Sequence, residues 1–158
     1  MKKGIVSILS TVAGVAIGAG ATTYLANKSK NQQQGCIERY TTYYNMLNQW
    51  LILKTEGRSL EEYFKENNYN KVAIYGMGEL GCRLYEDLKD TSIEVKYCID
   101  RNLDGVYSEL DVFSLDDELE EVDAIVVSPV YDFEVIEKNI SEKVDYSVIS
   151  LEDVIYAI

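Results

Sequence analysis

Apolar and polar positions follow three different rhythms along this chain, and each rhythm predicts a different kind of element. From Gly4 to Ala26 (GIVSILSTVAGVAIGAGATTYLA) no residue carries a charge. A helix of that length covers roughly 34 Å against a hydrocarbon core of about 30 Å, so the stretch predicts a single N-terminal transmembrane helix. From Cys36 to Glu56 the apolar residues Ile37, Tyr40, Tyr44, Leu47 and Leu51 recur at alternating three- and four-residue steps, one stripe of a helix. Beyond Lys71 short β-prone runs alternate with helical patterns, the signature of an α/β domain.

The first segment carries its own detail. Ser10, Gly14, Gly18 and Thr22 fall at four-residue intervals and form a small-residue groove through which a second helix can approach, so a homodimer is one expectation. Ala19-Gly20-Ala21 resembles a signal-peptide cleavage site, but the uncharged run exceeds the usual apolar region of about 7–15 residues, which favours an anchor. The lysines flanking the run (Lys2 and Lys3, Lys28 and Lys30) nearly tie in the positive-inside count. Residues 1–26 thus read as an anchor, 27–35 (NKSKNQQQG) as a polar linker and 36–70 as a helical stalk or hairpin. Within the stalk, Gly57 suits a helix end, and Ser59-Leu60-Glu61-Glu62 spells a capping box before a short second helix. The stripe covers less than three heptads, so packing of this helix against its own domain is favoured over a coiled coil.

Residues 71–158 hold the chemistry. The strand Lys71–Tyr75 runs straight into Gly76-Met77-Gly78-Glu79-Leu80-Gly81, a G-x-G-x-x-G followed by a helix from Glu79 to Lys89. A helix N-terminus presents unpaired amides and the positive end of its dipole, which attract a phosphate. Gly76 permits the tight turn, Gly78 the approach of the phosphate, and Gly81 close packing of helix on strand. A second strand, Ile93–Ile99, ends in Asp100, 19 residues past Gly81, where a carboxylate can accept hydrogen bonds from ribose hydroxyls. Asp100 disfavours a 2′-phosphate while neighbouring Arg101 can tolerate one, so NAD and NADP both remain open.

The alternation continues with strands at 111–113, 123–128 and 146–149 and helices at 114–121, 131–139 and 151–158. Short connections and right-handed crossovers then give a small parallel sheet of order 3-2-1-4-5 flanked by helices. That order sets the ligand crevice at the carboxyl ends of the first and fourth strands, with Ser128, Pro129 and Val130 facing the glycine turn across it. At 88 residues the domain is about half of a full dinucleotide fold, so a complete NAD site would need a second copy.

Composition narrows the chemistry. The chain has no histidine, which removes His-ligated zinc and Ser-His-Asp or Cys-His catalysis. Of 15 basic and 27 acidic side chains, six and two lie in residues 1–56, leaving nine and 25 in residues 57–158. A body of net charge −16 repels a phosphodiester backbone, so nucleic acid is not an expected partner. Three cysteines (Cys36, Cys82 and Cys98) without a C-x-x-C pair do not make a disulfide framework. Together with the nucleotide-type motif they favour a cytoplasmic C-terminal domain on a single-pass membrane protein. Tyr85 and Lys89 spell Y-x-x-x-K, but their place in the first helix makes the match coincidental. The run Glu118, Glu120, Glu121 and Asp123 reads as a solvated acidic face, and Cys82 as a packing residue beside Gly81.

KVAIYGMGELGCRLYEDLK and IEVKYCIDRN together resemble the Rossmann-type domain near the front of membrane-bound polysaccharide-biosynthesis proteins. Those include nucleotide-sugar epimerase/dehydratases and polyprenyl-phosphate sugar-phosphate transferases. The stretch is also similar to CoA-binding small nucleotide domains, and the resemblance covers Lys71 to about Ile155. It implies a nucleotide-binding shape whose chemistry, in that family, lies in a following domain. The expected function is a membrane-anchored accessory or sensing module for NAD, a nucleotide-sugar or CoA, in cell-envelope polysaccharide metabolism. The ligand-binding residues expected are Gly76 to Gly81, Asp100, Arg101, Ser128 and Pro129, with no catalytic residue. The alternatives are a degenerate Rossmann scaffold for protein interactions and an oxidoreductase or sugar-nucleotide enzyme completed by oligomerisation.

Overall fold

The computed structural model describes residues 30, 33–103 and 109–158. The expected span over 4–26, and the small-residue row within it, lie outside the described residues. Among the described residues no helix is long and apolar enough to cross a membrane. The chain divides into two units between Tyr43 and Tyr44. In the first, residues 33–43 are helical, and Ile37 and Tyr40 are exposed.

The second unit opens with helical residues 44–55, labelled α1. The elements α2 (Glu61–Glu66), β1 (Lys71–Tyr75), α3 (Glu79–Leu88), β2 (Glu94–Ile99) and β3 (Val112–Phe113) follow. The chain continues through β4 (Ala124–Val127), a single 3-10 turn (Val130–Asp132), α4 (Phe133–Ser141), β5 (Ser147–Ser150) and α5 (Leu151–Ala157). All five strands are parallel in the order β3-β2-β1-β4-β5, as the alternation predicts. The order follows from two runs of right-handed crossovers in opposite directions from β1, which put α3 and α4 on opposite faces.

β1 and β4 are central and buried on both sides, so they are apolar throughout: Val72 to Ile74 and Ala124 to Val127 are fully buried. On the α4 face Ala73, Tyr75, Tyr97, Ile99, Ile125 and Val127 pack with Ile136 and Ile140. Tyr97 is 1% exposed, meets Phe113 edge-on, and donates its hydroxyl to the Glu120 carbonyl at 2.8 Å. Burial pushes its pKa up to about 12.

Local signals mostly act as read. Ser59 Oγ accepts from the Glu61 amide (3.2 Å) while Glu62 Oε1 accepts from the Ser59 amide (3.4 Å), the capping box at the start of α2. Ser150 Oγ accepts from the Glu152 amide at 3.2 Å and caps α5. Glu61 also ties α2 to the entry of β2, accepting from the Ser92 amide (2.8 Å) and hydroxyl (2.6 Å). Its bond to Lys65, then those to Ser92, hold its carboxyl at about 2.

Two expectations are corrected. The helix expected over 114–121 does not form. Ser114 and Asp117 make a reciprocal turn instead, with the Ser114 amide on Asp117 Oδ2 (2.7 Å) and the Asp116 amide on Ser114 Oγ (3.2 Å). Downstream, Tyr97 takes the Glu120 carbonyl. The stripe of α1 does not pack on its own domain either. Tyr44, Leu47 and Leu51 are exposed, and the domain receives Met46, Trp50 and Leu53, the apolar row one residue further round the helix. The helix is apolar on two sides, so periodicity names two faces without choosing between them.

Candidate functional site

The carboxyl ends of the strands are joined where β1 becomes α3. Tyr75 is the last paired residue of β1, and the Gly76 amide donates to the Ile99 carbonyl at 2.8 Å, so the chain is held to β2 as it turns. The turn needs φ +86° at Gly76, in the left-handed region. A Cβ there would also stand 2.8 Å from Pro129 Cγ. At Gly81 an added Cβ would lie 2.1 Å from the Gly76 carbonyl oxygen, so the first turn of α3 is pressed onto the end of β1. Two of the three motif glycines are therefore required by packing, as their spacing predicts.

The third differs. Gly78 is exposed, its φ of −71° is ordinary, and a Cβ would meet nothing within 4 Å. It stands at the N-terminal cap of α3, where no side chain caps the helix. The first bond of the helix runs from the Cys82 amide to the Gly78 carbonyl at 3.0 Å. The amides of Gly78, Glu79 and Leu80 find no protein acceptor among the described residues. Three donors at the positive end of a helix, reached past an exposed glycine, can receive an anion. The exposed Glu79 carboxylate lies in the same turn and opposes part of that attraction.

Asp100 ends β2 as expected, but its carboxylate is already bonded within the chain. Oδ2 accepts from the Met77 amide at 2.9 Å and Oδ1 from the Asn102 amide at 2.9 Å. The acid thus serves the glycine turn as an internal acceptor for its first free amide, and Met77 itself is 7% exposed. Sequence spacing places the carboxylate correctly but does not reveal this partner. Asp100 also lines a cavity of about 330 Å³ on the α4 face, with Tyr75, Arg101, Ser114, Asp116 and Lys143. Lys143 is ion-paired with Asp116, and Arg101 is exposed. Met77 to Gly81, Ser128 and Pro129 do not line this cavity.

Ser128 and Pro129 meet the turn directly instead of facing it across a crevice. Ser128 is 3% exposed. Its hydroxyl donates to the Gly76 carbonyl at 2.6 Å and its amide to the Tyr75 carbonyl at 3.0 Å. With the Pro129 ring over Gly76, these contacts close the space between the ends of β1 and β4 at that point. A buried serine without a partner would cost about 1–3 kcal/mol, so Ser128 is accounted for as a brace.

The chain matches no protein-family model, no curated protein and no solved structure.

Several of the other candidate residues have structural partners. Burial, then the charge of Glu109, push the Tyr85 hydroxyl above its usual pKa, opposite to what a proton-transfer tyrosine uses. Lys89 is paired with Glu86 at 2.7 Å. Cys82 is half-buried, its Sγ 3.5 Å from the Met77 carbonyl, beside the packed Gly81. Asp123 accepts from the amides of Asn70 (2.7 Å) and Lys71 (2.8 Å) and so fixes the entry of β1. One cluster was not foreseen: Asp87, its side chain 3% exposed, accepts from Trp50 Nε1 at 3.0 Å and pairs with Lys54. These residues belong to α1 and α3. Trp50 and Asp87 lie 37 positions apart, beyond the reach of any local pattern.

Proposed function

We propose that residues 71–158 bind a nucleotide-bearing ligand of the NAD, nucleotide-sugar or CoA type, its phosphate held by the amides of Gly78, Glu79 and Leu80. The protein acts as an accessory or sensing module without catalysis of its own. Residues 4–26 anchor it as a single span with the body on the cytoplasmic side, in service of cell-envelope polysaccharide metabolism. The observation that carries the binding reading is the contrast at the turn. Gly81 and Gly76 are pressed against their neighbours, while the cap of α3 at Gly78 is open and lacks a side-chain cap. The cavity beside Asp100 and Arg101 supplies room for a nucleoside. The uncharged run 4–26 supports the anchor, and the resemblance of residues 71–155 supports the metabolic setting.

The test is the melting temperature of the full chain with NAD, a nucleotide-sugar and CoA in turn. The proposal expects at least one to raise it, by RT ln(1 + [L]/Kd), or about 2.7 kcal/mol of stability at a hundredfold excess over Kd. Gly78→Val keeps the fold, because the site has space, and abolishes the shift by shielding the amides.

A second reading, a protein-interaction scaffold on the same fold, is favoured by a specific observation. The Met77 amide is satisfied by Asp100, and Ser128 and Pro129 close over Gly76, so part of the turn is occupied by the protein's own groups. That reading expects no shift with any of the three ligands.

A further inference from the structure

We infer that the cavity at the carboxyl ends of β1 and β2 binds an uncharged, hydroxyl-bearing ring, and that Tyr75 is the residue that recognises it. In ligand terms it takes the nucleoside end of NAD or of a nucleotide-sugar and rejects the ribose phosphate of NADP or CoA. The choice of a nucleoside rests on the nucleotide reading above; the cavity, the free hydroxyl and the charges do not. Tyr75 is 7% exposed and packs in the core on the α4 face. Its hydroxyl has no hydrogen-bond partner among the described residues. No sealed side-chain oxygen among them lacks a partner, so this hydroxyl opens into the cavity that Tyr75 lines. Buried hydroxyls are ordinarily bonded, as that of Tyr97 on the same face is to the Glu120 carbonyl. A ligand in the cavity supplies the partner that Tyr75 lacks.

The lining sets the chemistry of that ligand. At about 330 Å³ the cavity has the size of a small-molecule pocket, and Ile99 and Leu115 give a ring an apolar wall. Each oxygen of the Asp100 carboxylate accepts one amide and keeps a second lone pair. Ser114 Oγ accepts from the Asp116 amide and keeps its proton to donate. An acceptor, a donor and a tyrosine hydroxyl that can do either suit ring hydroxyls, which also do both. Charge argues against a phosphate. Three carboxylates (Asp100, Asp116 and Glu142) line the cavity against two cations, Arg101 and Lys143, a net −1. Lys143 is taken up by Asp116, so Arg101 alone faces the two other carboxylates. With residues 57–158 at net −16, the surrounding field also repels a phosphate monoester.

The test titrates the full chain in mild detergent with adenosine, guanosine and uridine, each to its solubility limit, and follows the amide resonances of Ile99, Asp100 and Ser114. At least one nucleoside is expected to move them saturably. The 2′- and 3′-monophosphates of that nucleoside should bind at least about tenfold more weakly. Tyr75→Phe should weaken the nucleoside roughly fivefold, the worth of one neutral hydrogen bond. Its melting temperature without ligand should match the parent's, because the hydroxyl has no partner in the chain to lose. Three results overturn the proposal: no nucleoside moves these amides, Tyr75→Phe binds as the parent does, or a ribose monophosphate binds as tightly as the nucleoside. A fall in melting temperature in Tyr75→Phe also overturns it, since the hydroxyl would then be held by the fold. The probes carry no phosphate for the α3 cap, so Gly78→Val should bind them as the parent does. Failure of the anion site therefore leaves these readouts unchanged.

Discussion

The glycine turn has two halves built on the same spacing and under opposite constraints. Its inner half, Gly76 and Gly81, is in contact with the end of β4: Ser128 bonds to the Gly76 carbonyl and Pro129 covers Gly76. Its outer half begins at the exposed Gly78, where an added Cβ would meet nothing within 4 Å, and leaves the start of α3 without a side-chain cap. A glycine forced by packing explains itself, since no larger residue fits. A glycine with open space and an ordinary φ has no such explanation from the fold. Function is therefore to be sought at Gly78, and stability at Gly76 and Gly81.

Substitutions separate the halves, and the largest effect belongs to Gly81→Ala. Its Cβ would meet backbone, which cannot rotate away, so unfolding in denaturant should show a loss of about 3 kcal/mol, the upper end of overpacking costs. Gly76→Ala adds positive-φ strain to a contact with the Pro129 ring, and about 2 kcal/mol should be lost in the same assay. Asp100→Ala removes the acceptor of the Met77 amide, a bond to a charged group, and should cost about 1.5 kcal/mol. If it costs nothing, the internal bond does not hold the turn, and the carboxylate is free for a ligand.

Tyr97 serves as a control in the packed core away from the turn. Its folded pKa of about 12 exceeds the ordinary value of 10.0, so the folded state holds this proton more tightly than the unfolded chain. The stability it confers is complete below pH 10 and drains as the pH rises towards 12. Tyr97→Phe should lose about 1 kcal/mol at neutral pH with the bond to Glu120, and should flatten the alkaline loss seen in melting curves. The smallest effect is expected at Gly78→Ala. The poorer cap is offset by the reduced freedom of the unfolded chain, which leaves stability within about 0.5 kcal/mol of the parent. A large loss there would erase the distinction between the two halves.

The parallel sheet and its order could be read from the sequence because each strand is a short apolar run bounded by turn residues. The glycine motif fixed the first crossover. Gly76 and Gly81 were legible for the same reason: their spacing encodes a turn that only one geometry satisfies. What the sequence hid was the choice among partners. Asp100 at its spacing suits a ribose hydroxyl or the Met77 amide equally, since both are donors. The strand order puts Ser128 opposite the turn, but its contact depends on how closely β4 approaches. The face of α1 that packs inward was ambiguous because Met46, Trp50 and Leu53 repeat with the same period as the exposed row. The serine and acids of segment 114–121 suit a helix cap as well as a turn, so sequence alone does not separate the two.

The central claim concerns three backbone donors, and amide NMR of the full chain in detergent observes them individually. With NAD, a nucleotide-sugar or CoA added to saturation, the account predicts that the resonances of Gly78, Glu79 and Leu80 move together while those of α5 stay in place. If all three compounds leave these amides unmoved, the open cap of α3 is not an anion site, and the account is contradicted.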